Sequence, residues 1–234
     1  EFDGRIFSSN DSGNTSEIFE IKPGSSYIEK TFQTGLKNID WEAITNDGEN
    51  FHIGEFGNNL GTRKDLKVYK VPFKNDSIII DSIKAIPFFY PEQEDFTPKN
   101  INNNFDAEAM IFLDGNIHIF TKEWITNTVS HYVINPNLSE NQPAQKLESF
   151  DTGFVVTDSS FYNNKLYVVG YTKKARVFLM IFEKDENGNL FFNKPLKKFA
   201  LGRAFNIGQI EGITATEKGI YISGERFNIK IKKV

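Results

Sequence analysis

The sequence predicts an all-β fold, a five-bladed β-propeller of four-stranded antiparallel blades, with residues 1–234 forming one domain. Three observations carry that reading. A strand–turn–strand pattern recurs at a spacing of roughly 50 residues, the period of a propeller blade. The composition, 14% aromatic with 23 Phe, suits pleated and half-buried strands. No segment sustains a helical apolar period, so no long helix is expected.

The repeat is read from four segments. They are WEAITNDGENFHIGEFGNN from Trp41, AEAMIFLDGNIHIFTKEW from Ala107, DSSFYNNKLYVVGYTKK from Asp158 and IEGITATEKGIYISGERFN from Ile210. Each places a polar residue near the start of a first strand, then a tight turn and a second strand. Asn46-Asp47-Gly48, Asp114-Gly115-Asn116, Asn163-Asn164 and Glu217-Lys218-Gly219 have the chemistry of hairpin turns. The matched polar residues are Glu42, Glu108, Ser159 and Glu211, with Ser160 replacing Ser159 under a one-residue shift. Successive steps between them are 66, 51 and 52 residues. The long first step has a visible cause in YPEQEDFTPKNINNN, residues 90–104, a Pro- and Asn-rich inserted loop.

Outer strands are expected at DLKVYKV and SIIIDSIKAIPFFY after the first hairpin, and at SHYVINP after the second. After the third they are expected at VFLMIFEK and NLFFNKP. The opening stretch EFDGRIFSSNDSGNTSEIFEI is a further repeat, giving a first blade that lacks its inner strand, which would lie before Glu1. FNIKIKKV at the other end would supply late strands of the last blade.

Composition narrows the function. A net charge of -4, with Lys+Arg 27 against Asp+Glu 31, leaves no electrostatic footprint for nucleic acid. No apolar run is long enough for a membrane-spanning helix. Zero cysteines exclude a disulfide scaffold and a thiolate metal site. A monomer is expected, with a small anionic molecule or a protein as partner.

In a propeller the innermost strand of each blade runs along the central channel, so one position per blade forms a ring. Glu42, Glu108, Ser159 and Glu211 are expected there. Carboxylates crowded in a partly dry channel raise one another's pKa, and a bound cation removes that penalty. A ligand set of oxygens, with no His or Cys, favours Ca2+ over zinc or Mg2+. The plain alternative is a polar lining that binds water or backbone amides.

The loops after each second strand open on the same face as the ring and form a mouth. Arg63, Lys122, Lys173 and Arg226 there suit an anionic ligand such as a phosphate ester. Glu55, Glu123 and Glu225 are the candidate general bases, the only mouth acids that the repeat positions. His52 and His118 occupy matching strand positions and are expected to pack between blades; no role is expected for His131 on an outer strand. KDENGN from Lys184 reads as an Asn-Gly hairpin. No P-loop, dinucleotide fingerprint or nucleophile elbow is present.

On EFDGRIFSSNDSGNTSEIFEI, the Glu of DWEAI, the Glu of DAEAM, the serines of DSSF and the Glu of QIEGI, in that order, the chain resembles the calcium-activated nucleotidase (apyrase) family. The resemblance implies five blades and a calcium ion in the channel, held by Glu42, Glu108, Ser159 and Glu211, with a remaining ligand before Glu1. The substrate-binding residues of that family do not map one by one onto the shorter mouth loops here. In DWEAI, GEFGNN and IEGI the chain resembles, more closely in local sequence, a group of uncharacterised bacterial secreted or lipoprotein β-propellers. That resemblance implies a periplasmic or cell-surface location. The leading expectation is a calcium-binding exported propeller that acts as a binding or scaffold protein. The competing one is a calcium-dependent phosphohydrolase acting on nucleotides or other phosphate esters at the mouth, and a third is an ester or lactone hydrolase.

Overall fold

Apolar alternation punctuated by Asn, Asp and Gly folds this chain into a string of antiparallel hairpins. A computed structural model describes residues 1–186, 188 and 190–225. The first sheet contains β1 (Ile6–Ser9), β2 (Glu17–Ile21) and β3 (Ile28–Gln33), in that spatial order. The second contains β4 (Trp41–Asn46), β5 (Asn50–Glu55), β6 (Lys67–Lys74), the short β7 (Ser77–Ile78) and β8 (Lys84–Phe89). It is ordered β4-β5-β6-β8, with β7 folded back on β6. The third is β9 (Ala107–Leu113), β10 (Asn116–Thr121), β11 (Thr128–Ile134) and, beyond the short β12 (Gln142–Pro143), β13 (Gln145–Asp151). β12 leaves this sheet and pairs in parallel with β8, latching the second and third sheets together. The fourth is β14 (Val155–Tyr162), β15 (Lys165–Tyr171), β16 (Arg176–Glu183) and β17 (Pro195–Arg203). A single helical turn, α1 (Ala204–Ile207), leads to the two-stranded sheet of β18 (Gln209–Thr216) and β19 (Gly219–Glu225). FNIKIKKV and Arg226 lie outside the described residues, as do Asn187 and Asn189 of the expected KDENGN hairpin.

The architecture is an all-β, propeller-like ring in which β4, β9, β14 and β18 run side by side around a channel. Side chains stitch these inner strands together. The Phe112 amide donates to Thr45 Oγ1 at 3.3 Å, joining β9 to β4. Thr157 Oγ1 donates to the Ile210 carbonyl at 2.6 Å, and the Ile213 amide donates to Asp158 at 2.7 Å, joining β14 to β18.

The apolar residues are divided among the interfaces between neighbouring sheets, because the second, third and fourth sheets bury both faces against their neighbours. Phe2, Ile18 and Phe32 meet Trp41, Phe51, Ile53, Val71 and Phe73 between the first and second sheets. Leu66, Val68, Ile86 and Phe88 meet Met110, Ile117, Ile119 and Tyr132 between the second and third. Phe120 and Val129 meet Phe154, Leu166, Val168 and Phe182 between the third and fourth, and Val177 and Leu179 meet Ile210 and Ile213 beyond them. The turns are of the expected kind. Asp114 and Gly115 both have positive φ, as do Asn163 and Asn164, which gives the backbone twist of type I′ hairpins.

Several expected strands differ. SIIIDSIKAIPFFY is interrupted by a 3-10 turn over Ile80–Ser82, so only its two ends pair. Residues 190–194 of NLFFNKP do not form a strand. Phe191 and Phe192 are buried as plugs, and their amides donate to the Glu148 carboxylate at 2.8 and 3.0 Å instead of to a neighbouring strand. The edge strand of that sheet is β17, which begins at Pro195, where a missing N–H is tolerated. His131 has a definite role. Its ring nitrogens lie 3.0 Å from the Glu148 carboxylate and 2.8 Å from the His118 ring, and both imidazoles are fully buried. His52 stacks on Phe112 of the neighbouring sheet, with ring centroids 5.2 Å apart.

Two outcomes follow from this packing. Phe51 is 1% exposed and its ring lies within 5.1 Å of the Phe2, Phe7 and Phe73 rings. Phe51→Ala will therefore cost about 3–5 kcal/mol in chemical unfolding, with no change in m-value. Burial, reinforced by the neighbouring His131, lowers His118 from 6.5 to about 4. As pH falls through 6.5 the unfolded chain gains a proton that the native state refuses. The contribution of His118 to stability will fall towards pH 4 by up to about 3 kcal/mol, so His118→Leu will lose less stability than the native chain when urea midpoints are compared at about pH 7 and about pH 4.5.

Candidate functional site in the central channel

One device recurs in the inner hairpins. Trp41 and Ala43 pair with the consecutive residues Glu55 and Gly54, so Glu42 between them is a bulge. Ala107 and Ala109 pair with Thr121 and Phe120, which leaves Glu108 as the extra residue. Val156 and Asp158 pair with Gly170 and Val169, leaving Thr157, and Ile210 and Gly212 pair with Gly224 and Ser223, leaving Glu211. A bulge re-aims its extra side chain out of the ladder. Glu42, Glu108, Thr157 and Glu211 accordingly line one cavity of about 240 Å³ at the mouth end of the channel, together with Asp11 and Glu225.

The residue equivalent to the three glutamates is thus Thr157, two positions before Ser159. Ser159 instead lines the adjoining wider cavity of about 800 Å³, which it shares with Glu42 and Glu211. Ser159 Oγ is buried and has no hydrogen-bond partner among the described residues. Ser160 is committed, since its Oγ accepts the Ala215 amide at 3.0 Å. A signal for Thr157 exists in the sequence if the count starts from the second strand. Gly54, Phe120, Val169 and Ser223 each follow their bulge residue by 12 positions.

The electrostatics of the channel are strained in one direction. Burial, then the charges of Glu108, Asp106, Asp11 and Asp40, pushes Glu42 well above the usual carboxylate range. Burial likewise raises Glu211 and Asp40. Glu108 has a partner, because the ammonium of Lys122 pairs with its Oε1 in a site where both side chains are under 10% exposed. Burial alone would lower Lys122, but the pull of Glu108, Tyr171 and Asp106 overcomes it and holds the ammonium charged. Asp106, raised to about 6 by burial, accepts the Asn58 amide at 2.8 Å and braces the second sheet against the third.

The other mouth residues are largely engaged. Glu55 is fully buried, accepts the amides of Ile39 and Asp40 at 2.9 and 3.0 Å, and pairs with Arg63 at 2.9 Å. Arg63 also donates to Asp65 at 3.0 Å and to the Gly57 carbonyl at 3.1 Å. Glu123 accepts four hydroxyls, from Thr121, Thr126, Thr128 and Ser130. Lys173 is exposed, with its ammonium 5.9 Å from the centre of the Trp124 ring. Glu225, at the end of β19, lines the same cavity as the bulge glutamates.

The residues present fit a hard cation. Asp11, Asp40 and Glu42 each offer a carboxylate oxygen, and these oxygens lie within 4.8 Å of one another. Gly57 lies against the Asp40 and Glu42 carboxylates so closely that a Cβ there would overlap both. An oxygen-only donor set with variable spacing is what Ca2+ accepts. The sequence reading places Asp11 in a turn or mouth loop without a metal role and gives Asp40 none; the two reach the site from a turn and from a pre-strand loop.

No protein-family model and no curated protein matches the sequence. Among solved structures the chain is similar to a protein named as a 6-phosphogluconolactonase from Bacteroides uniformis, at 12% identity and a TM-score of 0.45, covering 92% of this chain and 59% of that one. It is similar to a protein named as an oxidoreductase (glucose dehydrogenase) from Thermus thermophilus, at 10% identity and a TM-score of 0.49, covering 96% and 89%. A chain of a mitotic checkpoint complex is similar at 11% identity and a TM-score of 0.45, covering 96% and 59%. Against the first and third of these, the chain spans 59% of their length. Likeness of this degree assigns no family and no activity.

Gly57→Ala will displace the Asp40 and Glu42 carboxylates, at a cost of about 1–3 kcal/mol. Thermal unfolding of the two proteins side by side reads this directly.

Proposed function

We propose that the chain is a five-bladed, calcium-binding propeller of an exported bacterial protein, with the ion in the channel and a role in binding a partner. The first blade contributes β1–β3 and the last is built on β18–β19. The observation that carries this reading is the cavity of about 240 Å³ where Glu42, Glu108, Thr157 and Glu211 converge, with no Lys or Arg among the described residues that line it. Glu42, Glu108 and Glu211 would hold the ion, with carboxylate oxygens from Asp11 and Asp40 beside Glu42 and hydroxyl oxygens from Thr157 or Ser159. Bound calcium would remove the mutual repulsion of carboxylates contributed by three sheets and so tie those sheets together. An affinity in the range of about 10⁻⁴–10⁻³ M, usual for extracellular modules, would suffice outside the cytoplasm.

A binding role is favoured over catalysis by the state of the mouth acids. A general base needs a free oxygen within reach of its proton. Glu55 is occupied by Arg63 and two amides, and Glu123 by four hydroxyls. Arg63 and Lys122, which would hold an anionic ligand, are turned towards Glu55 and Glu108. The second reading, a calcium-dependent phosphohydrolase, is supported by Glu225, which lines the cavity beside the bulge glutamates.

Calcium titration of thermal unfolding tests the proposal. At about 100 times Kd the ion will add about 2.7 kcal/mol to the native chain and nothing to Glu42→Gln. No response in the native chain would sink the metal site. A nucleotide and phosphate-ester screen with calcium separates the two roles. The binding role expects no turnover; turnover that Glu225→Gln abolishes and Glu55→Gln spares establishes the enzyme.

A further inference from the structure

We propose that Lys122 is an internal cation that competes with the divalent ion for Glu108 and thereby sets the affinity of the channel; this rests on the calcium reading above. Lys122 follows β10, where its amide donates to the Asp106 carbonyl at 2.7 Å. Its stem leads the ammonium back to the Glu108 carboxylate, 5.1 Å from the centre of the Trp124 ring and 5.8 Å from that of Tyr171. A carboxylate flanked by aromatic faces is a niche for a single positive charge, and Lys122 fills it from within the chain. The niche is joined to the rest of the ring. Gln209 donates to the Tyr171 hydroxyl at 3.0 Å and to the Glu211 carboxylate, so Glu108 and Glu211 are linked through Lys122, Tyr171 and Gln209.

A divalent ion can use Glu108 fully only when Lys122 releases it. Each ion then occupies the carboxylate at the expense of the other, and the apparent calcium affinity falls by the fraction of molecules in which Glu108 is free. The exposed Lys173 lies 5.9 Å from the centre of the same indole, which brings solvent close to the niche that Lys122 fills. A lysine in this position is poorly explained by stability alone, since a buried ion pair contributes little against a well-packed apolar substitute.

The test compares calcium binding, by titration calorimetry, in the native chain, Lys122→Met and Lys173→Met. Lys122→Met will bind calcium about tenfold more tightly or better. Lys173→Met removes a nearby charge without touching Glu108 and will shift affinity by less than about twofold. In the native chain, reductive methylation read by mass spectrometry will find Lys122 protected without calcium and reactive at saturating calcium. That second measurement decides the matter on its own if Lys122→Met fails to fold. Unchanged or weaker binding by a folded Lys122→Met, or a Lys122 equally protected while calcium is bound, overturns the competition and leaves the metal site standing. Calcium binding by neither protein overturns both.

Discussion

Mutual repulsion among carboxylates gathered in one channel is the constraint around which the polar half of this structure is organised. Each acid at the rim of the group has been given a compensating contact by the chain itself. Glu55 has Arg63 and two amides, Asp106 has the Asn58 amide, and Asp158 has the amides of Ser159 and Ile213. Glu108 has Lys122. Glu42 is left with neighbours of its own sign, and burial with their charges pushes it well above the usual carboxylate range. Acids held in this way leave Glu42 for an incoming cation, and the Lys122–Glu108 pair is the contact that must open when one arrives.

The apolar half makes that convergence rigid. Four clusters of aromatic and aliphatic side chains separate the sheets, and β4 and β9 are each held between two of them. The bulge then projects one side chain per inner hairpin into the channel. The insertion over residues 90–104 adds a clamp on the mouth. Asn103 donates to the Asn58 and Asn59 carbonyls at 3.2 and 3.0 Å, and Gln93 donates to the Gly61 carbonyl at 2.9 Å. The loop that carries Arg63 is therefore fixed, and Arg63 stays directed at Glu55.

This arrangement changes the chemistry that a list of mouth residues suggests. Four basic side chains above an acidic channel describe an anion-binding funnel. With Arg63 and Lys122 paired inward, the cavity is lined by acidic and neutral residues, with no Lys or Arg among the described ones. Its charge is matched to a cation, and an anion would reach it only through an ion already bound.

Local patterns were enough to establish much of this. The Asp114-Gly115 and Asn163-Asn164 turns, the alternation in NFHIGE and NIHIFT, and the recurrence of Glu42, Glu108 and Glu211 are set by neighbours in sequence, so they can be read there. Whether the fourth ring position is Thr157 or Ser159 depends on the ladder register, which is a property of two strands together. The roles of Lys122, His131 and Glu148 were further out of reach, because each is defined by a partner across a sheet or at the end of another strand. Strand type and turn type follow from short-range sterics and periodicity. Which charge meets which is decided only when the sheets close on one another, since burial and distance, not residue type, set the strength of those contacts.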